Sequence, residues 1–254
     1  MKQITASIMS ILIMLLLSVQ GISQNKKMTW TTKSKAADAL ASSGVNHLIN
    51  VELPQAYSDF TAALKLDPNF TPVLVLMSNL TQGETQKVYA QRALKSASNK
   101  TEGEKLFASL VQEKNTREDR SNIFTKLHSM FPDGEMLAAF YVRTRATPEE
   151  RFAAAQEFIK KFPNNAAMYN TIAYYYMQDK KDNEMAKKNL EKYLAMYPEG
   201  TNPYDSMGEY YLNTGDTANA SKYYTMALEK YPFNHTSLNA LQKIADDKKK
   251  GDMK

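Results

Sequence analysis

The side chains best suited to moving a proton or holding a metal near neutral pH are three histidines, His47, His128 and His235, and they stand far apart in the chain. A metal site needs three or four convergent ligands, and a nucleophile needs a base within hydrogen-bond reach. No HExxH, GxSxG, P-loop or GxGxxG run occurs. Cysteine is absent, which removes disulfides, thiolate-bound zinc, iron–sulfur clusters, a thiol nucleophile and lipid attachment to a thiol. The adjacent acids Asp246 and Asp247 sit in a charged tail and point apart on a helix, so they do not form a general acid/base pair. His47 reads as a packing residue near a helix interface, and His128 and His235 as exposed helix-end residues. What remains is the chemistry of binding. The expectation is a non-catalytic chain with no cofactor and no metal.

The elements that would position a binding surface are bounded by composition. The 254 residues are 43% hydrophobic and 23% charged, close to ordinary folded proteins. The net charge is +5, and acids alternate with bases, as in Asp179-Lys180-Lys181-Asp182, the pattern of solvated helix faces. No basic stripe interleaved with aromatics appears, so nucleic acid is excluded as a partner. At the N-terminus Lys2 precedes the apolar run 8–19, too short for a bilayer core, and Gly21 and Ser23 occupy the −3 and −1 places of a cut before Gln24. Residues 1–23 therefore read as a secretory signal peptide. With no lipobox cysteine, the mature chain is expected to be periplasmic or secreted, with no stable membrane insertion after cleavage.

The rest of the chain repeats. Pro68, Pro132, Pro163, Pro198 and Pro232 each follow an amphipathic stretch at spacings of 64, 31, 35 and 34 residues, the first being about twice the others. A period near 34 signals stacked helix pairs, because proline cannot continue a helix and often follows its end. In the last unit Asn202-Pro203 opens a helix, with asparagine as its cap. Tyr204, Met207, Gly208 and Tyr211 share one face of that helix, and Ala220, Tyr224 and Ala227 share one face of the next. Thr101/Glu104 and Thr147/Glu150 have capping-box spacing.

These residues resemble the tetratricopeptide repeat (TPR). The last unit meets the family's pattern with Met207 in place of leucine, and Gly44, Ala56, Phe60, Ala63 and Pro68 match in a first unit. Tyr169, Ile172, Ala173, Tyr176, Ala186 and Pro198 match in a unit with one extra residue in its turn. The three units between are degenerate: 71–100 lacks its proline, 101–132 has Arg120 where a small residue is expected, and 133–163 is short. The resemblance implies an all-α, right-handed α–α superhelix of about six helix pairs. The expected divisions are a signal peptide (1–23), a flexible leader or partial helix (24–36), the repeat array (37–234), and a C-terminal capping helix with a charged tail (235–254). Gly208 should face its partner helix, with Gly208→Ala neutral or stabilising.

The resemblance also implies a concave surface lined by the first helices of successive pairs. By register Phe140, Asn170, Tyr174, Met177, Asp205, Glu209 and Asn213 are the candidates to line it, as an aromatic-floored groove with an acidic end. The three rings of Tyr174-Tyr175-Tyr176 stand about 100° apart, so one or more is left over from packing. The family's carboxylate clamp is not matched, since Asn170 alone does not make one. The function this implies is a protein–protein interaction scaffold whose partner is a protein. The alternatives are a glycan- or small-ligand-binding envelope solenoid and an accessory module of an enzyme complex. Asp205-Ser206-Met207 and Asp216-Thr217-Ala218 also resemble a short O-glycosylation signal of exported Bacteroidetes proteins.

Overall fold

The computed structural model describes residues 26–252, so the expected signal peptide lies outside the described residues. Thirteen helices occur and no strand is found among the described residues. No helix there is long and apolar enough to cross a membrane. The helices form six antiparallel pairs: α1 (Lys35–Ile49) with α2 (Leu53–Leu66), α3 (Thr71–Leu80) with α4 (Gly83–Ser96), and α5 (Glu102–Ala108) with α6 (Arg117–Met130). The series continues with α7 (Glu135–Arg143) and α8 (Pro148–Lys161), α9 (Ala167–Tyr174) and α10 (Asn183–Met196), and α11 (Asn202–Asn213) and α12 (Thr217–Lys230). A closing helix, α13 (His235–Asp252), packs on α12.

Helix starts follow local chemistry. Thr101, Thr116 and Thr147 each cap a helix through the side-chain oxygen, and the acid three residues on closes the box by accepting from the cap's own N–H. Pro54, Pro72, Pro148 and Pro203 lie in the first turn, where the missing N–H has no intrahelical partner to lose. The second pair has no terminating proline and ends instead in a short 3₁₀ turn, Ala97–Asn99.

Within a pair, one register recurs. Gly44 and Phe60, Ala108 and Phe124, Ala139 and Ala155, and Gly208 and Tyr224 are each sixteen residues apart, and every one of these residues is buried. The reason is visible at the two glycines. A Cβ on Gly44 would sit 2.5 Å from the Phe60 ring, and one on Gly208 would sit 2.7 Å from the Tyr224 ring. The partner's aromatic ring rests on the bare backbone, so the expectation for Gly208→Ala is corrected. A methyl group there collides with the buried Tyr224 ring, which offsets the helix-propensity gain of about 1 kcal/mol.

The extra residue of the fifth unit is not in a loop. It is absorbed as a π-helical turn, Tyr175–Lys180, which ends at Lys181 in the left-handed region. Residues 26–34, the expected leader, contain no helix and are tied down along the array. Lys26 and Asp133 exchange hydrogen bonds, Thr31 N–H donates to Glu104 (3.0 Å), Thr32 donates to Asp67 (2.7 Å), and Trp30 meets the edge of Phe70. His128 is half-buried rather than exposed, stacked on Tyr141 at 4.8 Å. Ser206 is buried and unavailable for modification in the folded chain, whereas Thr217 is exposed at the start of α12.

Candidate partner-binding surface

The inner side of the array is crossed by the turn that joins α1 to α2. At its tip Val51 has φ 65°, a left-handed conformation that a β-branched residue adopts only when its surroundings hold it there. The surroundings are supplied by helices far along the chain. The Arg143 guanidinium donates to the carbonyls of Leu48 (3.3 Å) and Ile49 (2.5 Å). Tyr193 donates its hydroxyl to Asn50 Oδ1 (3.1 Å), Tyr197 donates to Glu52 Oε2 (2.7 Å), and the Thr201 N–H donates to Glu52 Oε1 (2.6 Å). Asn50 and Glu52 are only 3% and 5% exposed, so this is a buried polar interface with its groups satisfied. Burial pushes the Tyr193 phenol well up, and burial beside Glu52 does the same for Tyr197. Both therefore remain donors across the neutral range. Asn202, expected to cap α11, instead donates to the Tyr193 hydroxyl (3.2 Å). Ile49 packs among the apolar residues of α7, α8 and α9. The first pair thus closes across the inside of the array onto the fourth, fifth and sixth.

His47 belongs to the same closure. Its Nδ1 lies 3.1 Å from Asp59 and its Nε2 3.9 Å from Glu52, linking α1, α2 and the turn. No cluster of three or more His, Asp or Glu side chains fit to hold a metal occurs among the described residues.

The closing turn leaves clefts on either side of itself, and the sequence-predicted residues divide between them. Asn170 and Tyr174 line a cleft of about 290 Å³, walled by Ile49 and Val51, with Arg143 and Arg151 at its sides. Its aromatic wall is Phe152 stacked on Tyr175 at 4.3 Å. Asn170 Oδ1 is buried without a hydrogen-bond partner. The Tyr174 hydroxyl donates to Glu209 Oε2 (2.5 Å), and burial together with that carboxylate pushes the Tyr174 phenol up. Glu209 is therefore tied to Tyr174. Phe140 lies in a second cleft, stacked on Phe124 at 5.2 Å. Met177 is buried, and Asn213, at the exposed end of α11, reaches its sulfur at 3.5 Å. Asp205 is buried beneath the closing helix, accepting from Ser237 (2.5 Å) and Asn234 (3.4 Å), and burial raises its carboxyl. Met177 and Asp205 thus face the interior rather than a groove. Arg143, Arg151 and the turn itself are the features the sequence did not reveal. The Arg143 contacts span 94 and 95 residues, and no local pattern encodes a pairing at that range.

No family model and no curated protein matches the sequence. Solved structures do match in shape. A tetratricopeptide repeat protein from Parabacteroides merdae superposes with a TM-score of 0.52 at 15% identity, covering 82% of this chain and 84% of that one. The chain has the tetratricopeptide-repeat fold. Yeast Tom70 superposes with the TPR array at a TM-score of 0.56 and 13% identity, over 86% of this chain and 51% of its own. The Cut9–Hcn1 hetero-tetramer of the APC/C gives 0.51 at 14% identity, over 91% and 45%. TPR-like solenoids commonly use their inner curve as an extended binding surface. Here part of that curve is already occupied by the array's own first turn.

Proposed function

We propose that this chain is a non-catalytic protein–protein interaction scaffold, exported by the segment 1–23 to the bacterial periplasm or cell envelope, that binds a segment of a protein partner on its inner surface. The observation that carries the reading is the cleft at Asn170 and Tyr174. It is concave, has a stacked aromatic wall and two arginines, and contains a buried carbonyl oxygen, Asn170 Oδ1, with nothing to accept from. A bound segment would pack on the stacked rings, and its carbonyl or carboxylate oxygens would face the two arginines. That the Cut9 neighbour was solved as a hetero-tetramer with Hcn1 is consistent with such a role for the fold.

The test is site-specific photo-cross-linking in the producing cell, with the reactive group at Gln178, an exposed residue at the lip of this cleft. The expected result is a discrete protein adduct in the periplasmic or envelope fraction, lost when Asn170→Tyr fills the cleft. Retention of the chain in the cytoplasm, an adduct unaffected by Asn170→Tyr, or turnover of a substrate by the purified chain would overturn the reading.

A further inference from the structure

The third helix pair departs from the others in a way that leaves a surface uncovered. Its first helix, α5, stops after seven residues, and a three-residue 3₁₀ turn, Ser109–Val111, takes the place of its last turns. A cleft of about 550 Å³ opens there, with Leu76, Leu110, Phe124 and Phe140 among its apolar lining. Leu53, at its edge, is 46% exposed. Three arginines border this apolar floor: Arg117, Arg120 and Arg143.

Arg143 holds the closing turn, but nothing in the fold explains why Arg117 and Arg120 should be cationic. Arg120 occupies the place where the repeat pattern has a small residue, and Arg117 lies in the first turn of α6, where the helix dipole disfavours a positive charge. Among the described residues no carboxylate is within ion-pair distance of any of the three. Arg120 donates only to the carbonyls of Asn115 and Thr116, and Arg143 only to those of Leu48 and Ile49. A guanidinium is matched best by a carboxylate, in a bidentate pair. An apolar floor beside the pair keeps water out and strengthens the attraction.

We propose that this cleft docks a partner segment of defined chemistry: leucine-like side chains that fill the space left by the short α5, flanked by aspartate or glutamate that pairs with Arg117 and Arg120. The inference rests on reading the chain as a protein-binding scaffold and specifies which kind of segment it takes. It also assigns a discrimination, because a segment flanked by lysine would face three uncompensated like charges.

The experiment uses the full mature chain and a fluorescein-labelled peptide with a leucine-rich centre and glutamates at both ends, alongside the same peptide carrying lysines. Fluorescence anisotropy should show saturable binding of the glutamate peptide, weakened at least about tenfold by Arg117→Glu with Arg120→Glu. The lysine peptide should bind poorly to the wild type and better to the charge-reversed chain. Arg117→Glu alone, at an exposed side chain with no hydrogen-bond partner among the described residues, should give the same direction with a melting temperature that is not lowered, since an acid suits the first turn of α6. Equal binding of the two peptides, or an affinity indifferent to charge reversal, would overturn the proposal. Self-association of the wild type that the reversal abolishes would overturn it too, by making a second copy the occupant. If the Gln178 adduct persists while the glutamate peptide fails to bind, this inference falls and the scaffold reading stands. Loss of the Gln178 adduct with retained peptide binding separates them the other way.

Discussion

The sixth and third helix pairs are built on the same plan with opposite results. In the sixth, α11 and α12 run twelve and fourteen residues, and Tyr224 lies directly against the backbone of Gly208. In the third, α6 also runs fourteen residues, but α5 has only seven, so the first half of α6 lacks a full-length partner. The register is kept at Ala108 and Phe124, yet the space beyond it is an apolar cleft rimmed by arginines. Close packing thus marks the sixth pair, and an uncovered apolar floor marks the third. In a solenoid each unit is stabilised chiefly by its neighbours, so a weak unit can be carried by strong ones.

The largest expected effect comes from breaking the tight end. Gly208→Leu forces a side chain into the Tyr224 ring and should cost roughly 1–3 kcal/mol or more, read as a lowered denaturation midpoint. Gly208→Ala should also destabilise, by less, because the propensity gain of about 1 kcal/mol works against the clash. An unchanged midpoint for both would mean the ring is free to move aside.

Next is the contact that ties the ends together. Glu52→Ala leaves the half-buried Tyr197 hydroxyl and the buried Thr201 N–H without their acceptor, the buried N–H alone costing about 1–3 kcal/mol. The midpoint should fall, and amide exchange should accelerate both in α1 and in α10. Acceleration confined to α1 would show that the closure stabilises only the first pair.

A third effect sharpens the contrast itself. Native-state hydrogen exchange should be fastest, among the helices, in α5 and the turn after it, and slowest in α11 and α12, since local opening follows local packing. The reverse order would remove the distinction between the two pairs.

The smallest effect is a pH dependence centred on His128. Burial, with Lys161 and Arg145 nearby, holds its imidazole below the usual 6.5. The unfolded chain therefore takes up this proton first, and stability should fall as the pH drops below about 6.5 through that window. His128→Phe should flatten the dependence, as measured by denaturation midpoints between pH 5 and 8, and a slope unchanged by the substitution would place its source elsewhere.

Much of the architecture could be read from the sequence, because its signals are local. Proline at the ends of second helices, threonine with an acid three residues on, and small residues facing aromatics all act within one unit. They indicated six pairs and a closing helix without any long-range information. The π-turn at Tyr175–Lys180 was visible only as one surplus residue, since a loop and a π-turn absorb an insertion equally well in sequence terms. The site was far less legible. Asn170 and Tyr174 line one cleft, whereas Asp205 and Met177 are consumed by the closing helix and by the interior. Position along a helix identifies a face, and only the superhelical path decides what lies across from it. For the same reason Glu52 reads as an ordinary acid before a helix, although its carboxylate meets Tyr197 and Thr201 at the far end of the array.

The closure of the first pair across the inner surface is the claim on which the shape of the two clefts described above depends. It can be measured directly because the chain has no cysteine of its own, so two introduced thiols carry spin labels without background. Leu53→Cys and Glu199→Cys place the labels at exposed positions beside the two sides of the contact. Double electron–electron resonance should give a single narrow distribution at short distance, which broadens and lengthens when Glu52→Ala is added. A broad, long distribution in the otherwise unaltered chain would show an open array and would contradict the account.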